Sequence, residues 1–338
     1  AILEHLLESN LFIVSLDSRH RWFRYHRLFA ELLQSRLVEH DPERADENHL
    51  RASKWYDDRG LGPEAISHAF EAMDDDRAAD LVERYSARAI QYGEFWQHRR
   101  WIDALPEATV RARPMLCLAR AWALLFDPDA PERWPLDWIE RALELSAADP
   151  RPLSEPLGRH RTDHELIREA AYVFRVGYAQ FDTDPAQMVK LCLEALERLP
   201  EEAALGRGFV ALWLARAYAR LNQGEAAKRA MAQARQIGLA AEGHLIPLVI
   251  AGTQASNAWG GGDLHAVARI CREAMASLIA PAEQAGERVP QACSAYVYLG
   301  RTLVEWNELE QAEPLLLRGI ELAELALMKH LYVDGCRD

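Results

Sequence analysis

The chain has 338 residues, of which 49% are hydrophobic and 27% charged, and 52 acidic side chains against 39 basic ones give it a formal charge of −13. A chain of this length is too long for one ordinary hydrophobic core, so several domains or a stack of repeats is predicted. The strong negative charge makes the whole chain a poor candidate for nucleic-acid binding through its own surface.

The cysteines indicate a reducing compartment. They occur singly, mostly among apolar residues, and no Cys-x-x-Cys pair is present: Cys117, Cys192, Cys271, Cys293 and Cys336. Small buried thiols are the expected use of such cysteines, and no apolar run is long enough to span a bilayer. We therefore predict a cytoplasmic protein. Because the chain starts with Ala-Ile-Leu-Glu, already inside a helical pattern, we expect it to be a piece of a longer polypeptide.

The first forty residues have the order helix, hairpin, helix. Residues 2–9 have helical spacing, and two β-prone runs follow, Leu11–Leu16 and Trp22–Tyr25. The short polar connection Asp17-Ser-Arg-His-Arg21 between them is typical of a hairpin. A second helix is predicted from Leu28, with an apolar face formed by Leu28, Phe29, Leu32, Leu33 and Leu37. This order is that of the latter half of a winged-helix domain, to which we assign residues 1–40.

Specific motifs in the same region carry a family resemblance. Trp22-Phe-Arg-Tyr-His-Arg-Leu-Phe-Ala-Glu-Leu-Leu33, followed by Ser35-Arg-Leu37, resembles the winged-helix segment of the MalT-type, LuxR-family ATP-dependent transcriptional activators. Further matches to the family follow along the chain, at Ala52-Ser-Lys-Trp-Tyr56, Gly60, Glu64–Ala69, Gly93, Trp101, Ala104–Pro106, Arg113-Pro114 and Ala121-Trp122. From residue 1 to about residue 126 the resemblance rests on specific motifs. Beyond that point it is a resemblance of architecture alone.

The resemblance implies a nucleotide switch and a DNA-binding domain in the full-length protein. In that family a P-loop ATPase precedes the winged helix and a helix-turn-helix domain follows the superhelix. This sequence has no Gly-x-x-x-x-Gly-Lys-Ser/Thr motif and no basic recognition helix before Asp338. We therefore expect no cofactor in this chain, and expect ATP or ADP, as well as DNA, to bind the full-length protein through other domains.

His26 has the sharpest functional interpretation in this segment. Resemblance to the nucleotide-switch (STAND) ATPases implies that a winged-helix histidine contacts the β-phosphate of bound ADP. An imidazole can donate a hydrogen bond to phosphate, and protonation strengthens the contact. The alternative is that His26 only starts the helix after the hairpin.

Residues 41–148 are predicted to form an α-helical arm of helix pairs. Residues 50–56 pair with 64–72, residues 77–91 pair with 94–105, and Pro114 opens a further helix. Phe95, Trp96 and Trp101 suggest a sugar-stacking platform as an alternative. Spacing of four residues favours the core for Trp101, while the position of Trp96 stays open.

Residues 149–162 form the predicted hinge, because they contain three prolines, Pro150, Pro152 and Pro156. His160 and His164 are four residues apart, as two metal ligands on a helix would be. However, Thr162-Asp-His-Glu165 matches a capping box, which places His164 in a first helical turn and His160 outside it. With no third ligand evident, no metal site is predicted.

Residues 163–338 are predicted to form the sensor region. Four helix pairs fit the tetratricopeptide (TPR) pattern, within residues 165–199, 209–239, 252–279 and 296–316. Each pair has one apolar side that only stacked copies can bury. We therefore predict an all-α fold, an α–α superhelix of TPR-like helix pairs with a small winged-helix remnant at the N-terminus.

In such a superhelix the first helices of successive pairs line the concave wall. Projection of the pattern places six candidate binding residues there: Tyr178, Phe209, Arg216, Ser256, Trp259 and Arg301. Two arginines with aromatic neighbours suit a small anionic or polar effector, or a carboxylate-bearing peptide. The alternative is that both arginines pair with acidic side chains of their own stack. Trp259, beside three glycines, is either a docking surface or a filler of the neighbouring turn.

Two functions remain after these observations. The first is the signal-sensing, effector-binding and oligomerisation region of an ATP-dependent regulator, with a small-molecule inducer or regulatory protein in the groove and self-association on activation. The second is a passive TPR scaffold that binds a protein or peptide partner. An all-helical hydrolase needs two facing carboxylates, and the sequence nominates none, so no catalytic residue is predicted.

Overall fold

A computed structural model describes residues 12–15, 23–125, 134–153, 162–240 and 243–328, together with His5 and Ser9. The chain forms two compact units, Ala1–Leu81 and Val82–Asp338. None of the described helices is both long and apolar enough to cross a bilayer. Most of the predicted first helix, the hairpin connection, most of the hinge and the last ten residues lie outside the described residues.

The first unit starts with the predicted hairpin. Strand β1 (Ile13–Ser15) pairs antiparallel with β2 (Phe23–Tyr25), so that Ile13 lies opposite Tyr25. The backbone N–H of His26 donates to the carbonyl oxygen of Phe12 at 2.6 Å, which closes the hairpin beside the next helix. The two β-prone runs are therefore confirmed as a hairpin.

Helix α1 (Arg27–His40) follows the hairpin at the predicted place. Phe29 anchors it, because its ring stacks on Phe12 at 4.8 Å and meets the edge of Tyr25 at 5.6 Å. The rest of the predicted apolar face is open: Leu28 is 70% exposed and Leu32 is 53% exposed. The apolar spacing predicts the helix correctly. Its apolar face would be buried only by a neighbouring element, and no described element covers Leu28 or Leu32.

Helices α2 (Pro42–Asp57) and α3 (Gly62–Glu71) form the first helix pair. The hydroxyl of Ser53 in α2 donates to the carbonyl oxygen of Ala65 in α3 at 2.9 Å, and the Nε of Arg77 donates to the same hydroxyl at 2.8 Å. The first contact lies inside the pair and the second joins the pair to the start of the next helix, so the buried Ser53 hydroxyl is satisfied where an unpaired one would be costly. The pair is therefore tied by a buried polar bond as well as by apolar packing.

A pair of imidazoles also joins these two helices. The Nδ1 atoms of His49 and His68 are 2.9 Å apart, and the ring of Tyr56 stacks on His68 at 5.3 Å. Burial, followed by the neighbouring His49, lowers the pKa of His68. Such a short contact requires at least one neutral ring, because two imidazolium groups have no acceptor to share.

The next helices are α4 (Asp75–Gln91), which begins in the first unit and ends in the second, α5 (Phe95–Ala104), α6 (Glu107–Ala112), α7 (Pro114–Leu125) and α8 (Trp134–Ala148). Trp101 is 5% exposed, which confirms the core interpretation. Trp96 is 38% exposed, with the Cζ atom of Arg100 4.7 Å from its ring centroid. The spacing of four residues therefore buries one tryptophan and gives the other a cation–π partner on the surface.

The repeat region is made of antiparallel helix pairs, as predicted. Its helices are α9 (Asp163–Asp182), α10 (Pro185–Arg198), α11 (Ala204–Arg220), α12 (Gly224–Ala240), α13 (Leu245–Gly260), α14 (Leu264–Ala274), α15 (Ala280–Gln284), α16 (Cys293–Glu305) and α17 (Leu309–Leu325). A π-helical turn (Met275–Ile279) precedes α15, and a 3₁₀ turn (Pro290–Ala292) precedes α16. The all-α class, with TPR-like pairs and one small hairpin in the described residues, is confirmed.

Local chemistry decides where several of these helices start. Thr162 and Glu165 form the predicted capping box, in which the Thr162 hydroxyl accepts from the Glu165 N–H at 3.3 Å and the Glu165 carboxylate accepts from the Thr162 N–H at 2.9 Å. The carboxylates of Asp184 and Asp263 cap α10 and α14, because each accepts a hydrogen bond from a backbone N–H in the first turn of its helix. Each cap satisfies backbone N–H groups that the helix itself leaves without a partner.

The turn between α4 and α5 packs against the start of α13 and the 3₁₀ turn before α16, inside the second unit. The Nε2 of Gln291 donates to the carbonyl oxygen of Gly93 at 3.3 Å, and the ring of Tyr92 meets the edge of His244 at 5.9 Å. His244 in turn lies 2.8 Å from a carboxylate oxygen of Glu287. This contact joins the arm helices to the third and fourth repeats, which sequence spacing did not predict.

Candidate functional site

Two of the six predicted groove residues meet in the structure. The Cζ atom of Arg301 in α16 lies 4.4 Å from the ring centroid of Trp259 near the end of α13. The ring of Tyr298 is 6.3 Å from the same indole. A guanidinium over an indole is a cation–π contact, and both side chains are half-buried. Trp259 therefore covers a neighbouring helix and still presents part of its ring to solvent.

Phe209 lies in the core rather than on an open surface. It is buried in α11, where its ring stacks on Trp213 at 5.7 Å and lies 6.2 Å from the ring of Trp122 in α7. Trp122 itself meets the edge of Phe174 at 5.0 Å. This aromatic cluster joins the arm to the first two repeats.

The other three predicted residues lie on three different helices. Tyr178 is half-buried near the end of α9, Arg216 is exposed in α11, and Ser256 is exposed in α13. The cavity described below is lined by other side chains. The groove role of these residues stays a prediction.

His26 precedes the first residue of α1 and its ring is exposed. Its side chain does not cap the helix, and its backbone N–H bonds to Phe12. An exposed imidazole beside an uncapped helix N-terminus fits the chemistry of a phosphate contact, because helix N-termini favour anions. The phosphate contact of His26 stays a prediction.

A cavity of about 370 Å³ lies in the second unit, where the arm meets the first repeats. Residues of α4, α7, α9 and the start of α11 line it. Apolar side chains make up most of the lining, including Ile90, Leu118, Trp122, Leu166 and Val173. A concave, mostly apolar cavity with a few polar groups is the usual form of a small-molecule site.

Three carboxylates give this cavity its charge: Glu83 on α4, Glu169 on α9 and Glu202 in the turn before α11. The Oε2 atom of Glu169 is shut off from solvent. Glu83 lies 3.9 Å from the guanidinium of Arg113. No lysine, arginine or histidine side chain is among the described residues that line the cavity.

The polar groups of the lining are mostly acceptors. The hydroxyl of Ser86 already donates to the carbonyl oxygen of Val82 at 2.6 Å, one turn earlier in α4. The remaining side-chain N–H donors of the lining belong to Gln91 and Trp122. The first turn of α11 also lines the cavity and has no side-chain cap, which adds the partial positive charge of a helix N-terminus.

A second group of polar residues lies beside the cavity. Glu169 also lines an adjoining open cleft with Arg168, Tyr172 and Arg198. The guanidinium of Arg198 donates to the Tyr172 hydroxyl at 3.2 Å, and this hydrogen bond lowers the pKa of that phenol. The cleft is lined by residues of both charge types, whereas the only charged residue type in the described lining of the cavity is glutamate.

The cavity residues escape the sequence pattern because their helices meet only after packing. Glu83, Trp122, Glu169 and Glu202 are separated by more than thirty residues at each step. One local signal is the pair of small residues Ala203 and Ala204 after Glu202, at the start of α11. Small side chains at a helix start leave space beside their neighbours, and in the structure this pair lines the cavity.

The described residues contain no group of three or more histidine, cysteine, aspartate or glutamate side chains placed to hold a metal ion. Cys117, Cys192, Cys271 and Cys293 are free and buried, as predicted for small core side chains. Burial raises the pKa of the Cys271 thiol to about 12, so this sulfur is not a thiolate nucleophile at neutral pH.

Comparison with family models gives two matches. A model described as the MalT-like TPR region matches residues 169–335, and a model described as the MalT winged helix domain matches residues 1–45. The two matches lie on either side of the arm helices. They agree with the helix pairs and the hairpin seen in the structure.

Curated relatives share shorter stretches with this chain. It is 34% identical over 178 residues to the serine/threonine-protein kinase PknK of Mycobacterium tuberculosis, covering 52% of this chain and 15% of the relative. It is 28% identical over 122 residues to the HTH-type transcriptional regulator MalT of Vibrio cholerae, covering 36% and 14%. It is 27% identical over 199 residues to MalT of Cronobacter sakazakii, covering 59% and 20%. The chain thus spans a fifth or less of the length of these relatives.

Proposed function

Because this chain is MalT-like, with a winged-helix segment and a TPR region, we propose that it is the effector-sensing region of a transcriptional regulator. The cavity between α4, α7, α9 and α11 is the proposed effector site. The chain would recognise its effector rather than transform it. The observation that carries the proposal is the position of the cavity.

The cavity is built by helices of two kinds. Residues 83–122 of the lining belong to the arm, before the TPR match begins, and residues 169–206 belong to the first repeats. A ligand in the cavity therefore contacts both parts at once. Such a ligand shifts their arrangement only if it binds one arrangement more tightly than another, and a site shared by two parts can supply that difference.

The proposed output is a nucleotide-dependent switch in the full-length regulator. His26, exposed at the start of α1, would contact a phosphate of bound ADP and favour the resting state. The test is ADP retention by the full-length regulator. His26→Ala should release ADP faster than wild type, while His40→Ala, at the other, exposed end of α1, should not. Equal release by the two variants would contradict the His26 contact.

Self-association on activation and DNA binding through a separate helix-turn-helix domain complete the proposed mechanism. The present chain would bring the sensing step and part of the surface for assembly, while another domain would bind DNA. Location in the cytoplasm follows from a role in transcription regulation. Each of these steps belongs to the full-length protein rather than to the residues described above.

A second candidate function is that of a scaffold for a protein or peptide partner. The observation in its favour is the half-exposed Trp259 with Arg301 over its ring, near the exposed Ser256 on the same helix. An indole and a guanidinium on one surface are common at the centre of protein interfaces. The scaffold would use this surface and would not need the cavity.

A cavity-filling variant separates the two functions. Ala170 is buried in α9 and lines the cavity, so Ala170→Leu should fill part of it without adding charge. A screen of metabolites of either charge by thermal shift should find compounds that raise the melting temperature of wild type. The same compounds should fail with Ala170→Leu. Trp259→Ala is the control and should keep the shift.

The opposite pattern would overturn the effector proposal. If the shift survives in Ala170→Leu and disappears in Trp259→Ala, the surface around Trp259 is the binding site. If no small compound of any charge raises the melting temperature of wild type, the cavity is not an effector site and the scaffold is the better function.

A further inference from the structure

We infer that the contact between the α4–α5 turn and the third and fourth repeats is a latch, and that a ligand in the cavity holds this latch closed. In the latch, residues 92–94 of the arm face residues 243–244 and 287–291 of the repeats, all inside the second unit. The inference rests on the proposed function, since it names the arrangement that an effector in the same cavity favours.

Polar side chains make up most of the latch. The Nε2 of Gln291 donates to the carbonyl oxygen of Gly93 at 3.3 Å, and the ring of Tyr92 meets the edge of His244. His244 also lies 2.8 Å from Glu287, and both of these side chains are half-buried. Polar contacts of this kind are typical of parts of a chain that move relative to each other, whereas apolar contacts hold helix pairs together.

Charge also crosses the latch. Burial raises the pKa of Glu94, while Arg288 on the facing turn and Arg88 on α4 act in the opposite direction. Arg288 is exposed, so water and salt weaken its attraction for Glu94. This attraction therefore favours the closed latch without fixing it permanently.

Gln291 shows why the latch can open. Its side chain is 2% exposed, and its Oε1 atom has no hydrogen-bond partner among the described residues. A buried amide oxygen without a partner raises the free energy of the closed contact, and opening would let water bond to it. Opening the latch therefore costs less free energy than separating an apolar contact of the same size.

The end of α4 belongs to both the cavity and the latch. Ile90 and Gln91 line the cavity, and Gly93 of the latch follows two residues later. In the repeats, Ala240 lines the cavity, and Gly243 lies three residues further on. The backbones pack closely here, because a Cβ added to Gly243 would lie 2.6 Å from the carbonyl oxygen of Gln91. A movement that opens the latch therefore also moves residues that line the cavity.

The closed latch and the cavity occur together in the structure. A ligand that fits this cavity binds the closed arrangement more tightly than one in which Gln91 and Ala240 have moved apart. Coupling of this kind is reciprocal, so a change that opens the latch weakens binding by the same factor by which the ligand favours closure. The latch thus transmits occupancy of the cavity to the third and fourth repeats.

The uncharged fluorescent probe N-phenyl-1-naphthylamine tests this coupling on the whole chain. Its emission rises when it enters an apolar cavity, so titration gives a dissociation constant for each variant. His244→Ala removes the contacts with Tyr92 and Glu287, and should bind the probe about fivefold or more weakly than wild type. The control is His265→Ala, an exposed histidine whose ring packs on Trp306 at 5.2 Å, and it should leave the affinity unchanged.

Hydrogen exchange followed by mass spectrometry measures the latch itself. Peptides that contain residues 88–95 and 287–293 should exchange more slowly when the probe saturates wild type, because the probe favours the closed latch. The same peptides should exchange faster in His244→Ala without the probe. Thermal denaturation checks that each variant is folded. Glu287→Gln, which keeps the size of the side chain and weakens the same pairing, is the second latch variant and carries the test if His244→Ala does not fold.

The outcomes separate the latch from the proposed function. If Ala170→Leu abolishes probe binding while both latch variants bind the probe as tightly as wild type, the cavity is a binding site and the coupling to the latch is wrong. If the probe speeds exchange at the latch, or leaves it unchanged, the inference is also wrong. If neither the probe nor any compound of the metabolite screen binds wild type, both proposals fail.

Discussion

His98 lies on the buried face of α5, and neither of its ring nitrogens has a hydrogen-bond partner among the described residues. Burial, with the nearby Arg120, lowers the pKa of His98 to about 4, although Asp103 acts in the opposite direction. The ring is therefore neutral at pH 7. A buried polar group without a hydrogen-bond partner lowers the stability of the fold, whereas an apolar side chain of similar size does not carry this cost.

We predict that His98→Leu raises the free energy of unfolding at pH 7 by about 1 kcal/mol, because it removes the unsatisfied ring nitrogens. Chemical denaturation of the purified chain measures this change. His40→Gln, at an exposed position, is the control and should have little effect. A loss of stability in His98→Leu would contradict this prediction and would mean that the ring makes a stabilising hydrogen bond in solution.

The pH dependence of stability gives an independent test of His98. The unfolded chain binds this proton with an ordinary pKa near 6.5, whereas the folded chain binds it near pH 4. Between these values the unfolded state carries more protons, so stability falls as the pH falls, by up to about 3 kcal/mol from this group. His98→Leu should lose stability less steeply over the same range. Parallel curves for wild type and variant would contradict the lowered pKa.

Single residues also show where sequence reasoning succeeds and where it stops. The buried Trp101 and the four buried cysteines follow from local apolar spacing. Spacing alone does not distinguish Leu28 from Phe29 in α1, yet Leu28 is exposed and Phe29 packs on the hairpin. Burial depends on which neighbour covers a helix face, and the helix's own sequence does not contain that neighbour.

At the scale of elements, the capping box of α9 is a feature that the sequence specifies completely. Thr162→Ala removes one of its two bonds and should lower the free energy of unfolding by about 1 kcal/mol. Glu165→Gln should cost less, because glutamine can still accept from the Thr162 N–H. Equal losses in the two variants would mean that the charge of Glu165, rather than the box, sets the start of α9. Chemical denaturation distinguishes the two results.

The contact between the α4–α5 turn and the repeats makes a different prediction. A Cβ at Gly243 would lie 2.6 Å from the backbone oxygen of Gln91, and φ at Gly243 is +89°. A Cβ at Gly93 would lie 2.7 Å from the Cγ of Gln291, with φ at +72°. Gly243→Ala should destabilise more than Gly93→Ala, because a backbone atom yields less than a flexible glutamine side chain.

Gly262 is a matched control for both substitutions. Its φ is +74° and nothing lies within 4 Å of an added Cβ, so Gly262→Ala measures the cost of left-handed backbone alone, about 1–2 kcal/mol. Any loss beyond that value in Gly243→Ala reports the contact with Gln91. If the three variants lose equal stability in chemical denaturation, the turn does not pack against the repeats in solution.

At the scale of the whole molecule, the charge of −13 makes a prediction about DNA. Phosphate backbones repel a strongly acidic surface, and this repulsion is greatest at low salt, where screening is weakest. We expect no retardation of a short DNA duplex in a gel-shift assay with this chain, at either low or physiological salt. Salt-dependent retardation would contradict the assignment of DNA binding to a separate domain.

Much of the fold was determined by the sequence alone. Proline, glycine and capping residues mark the helix ends, and apolar spacing fixes the helix type over most of the described chain. The TPR pattern predicts pairs because one apolar side needs a copy of itself to cover it. The winged-helix segment was recognised from a dense local motif, which a single stretch of sequence can contain in full.

Only the tertiary structure decided the cavity and its charge. Glu83, Trp122, Glu169 and Glu202 come from four separate segments, and no local pattern relates them. The contact of Gly93 with Gln291, separated by 198 positions, is equally invisible in the sequence. Local spacing fixes what a helix is, because its hydrogen bonds and periodicity lie within a few residues. What faces a helix is set by packing between distant segments, and the cavity exists only because of that packing.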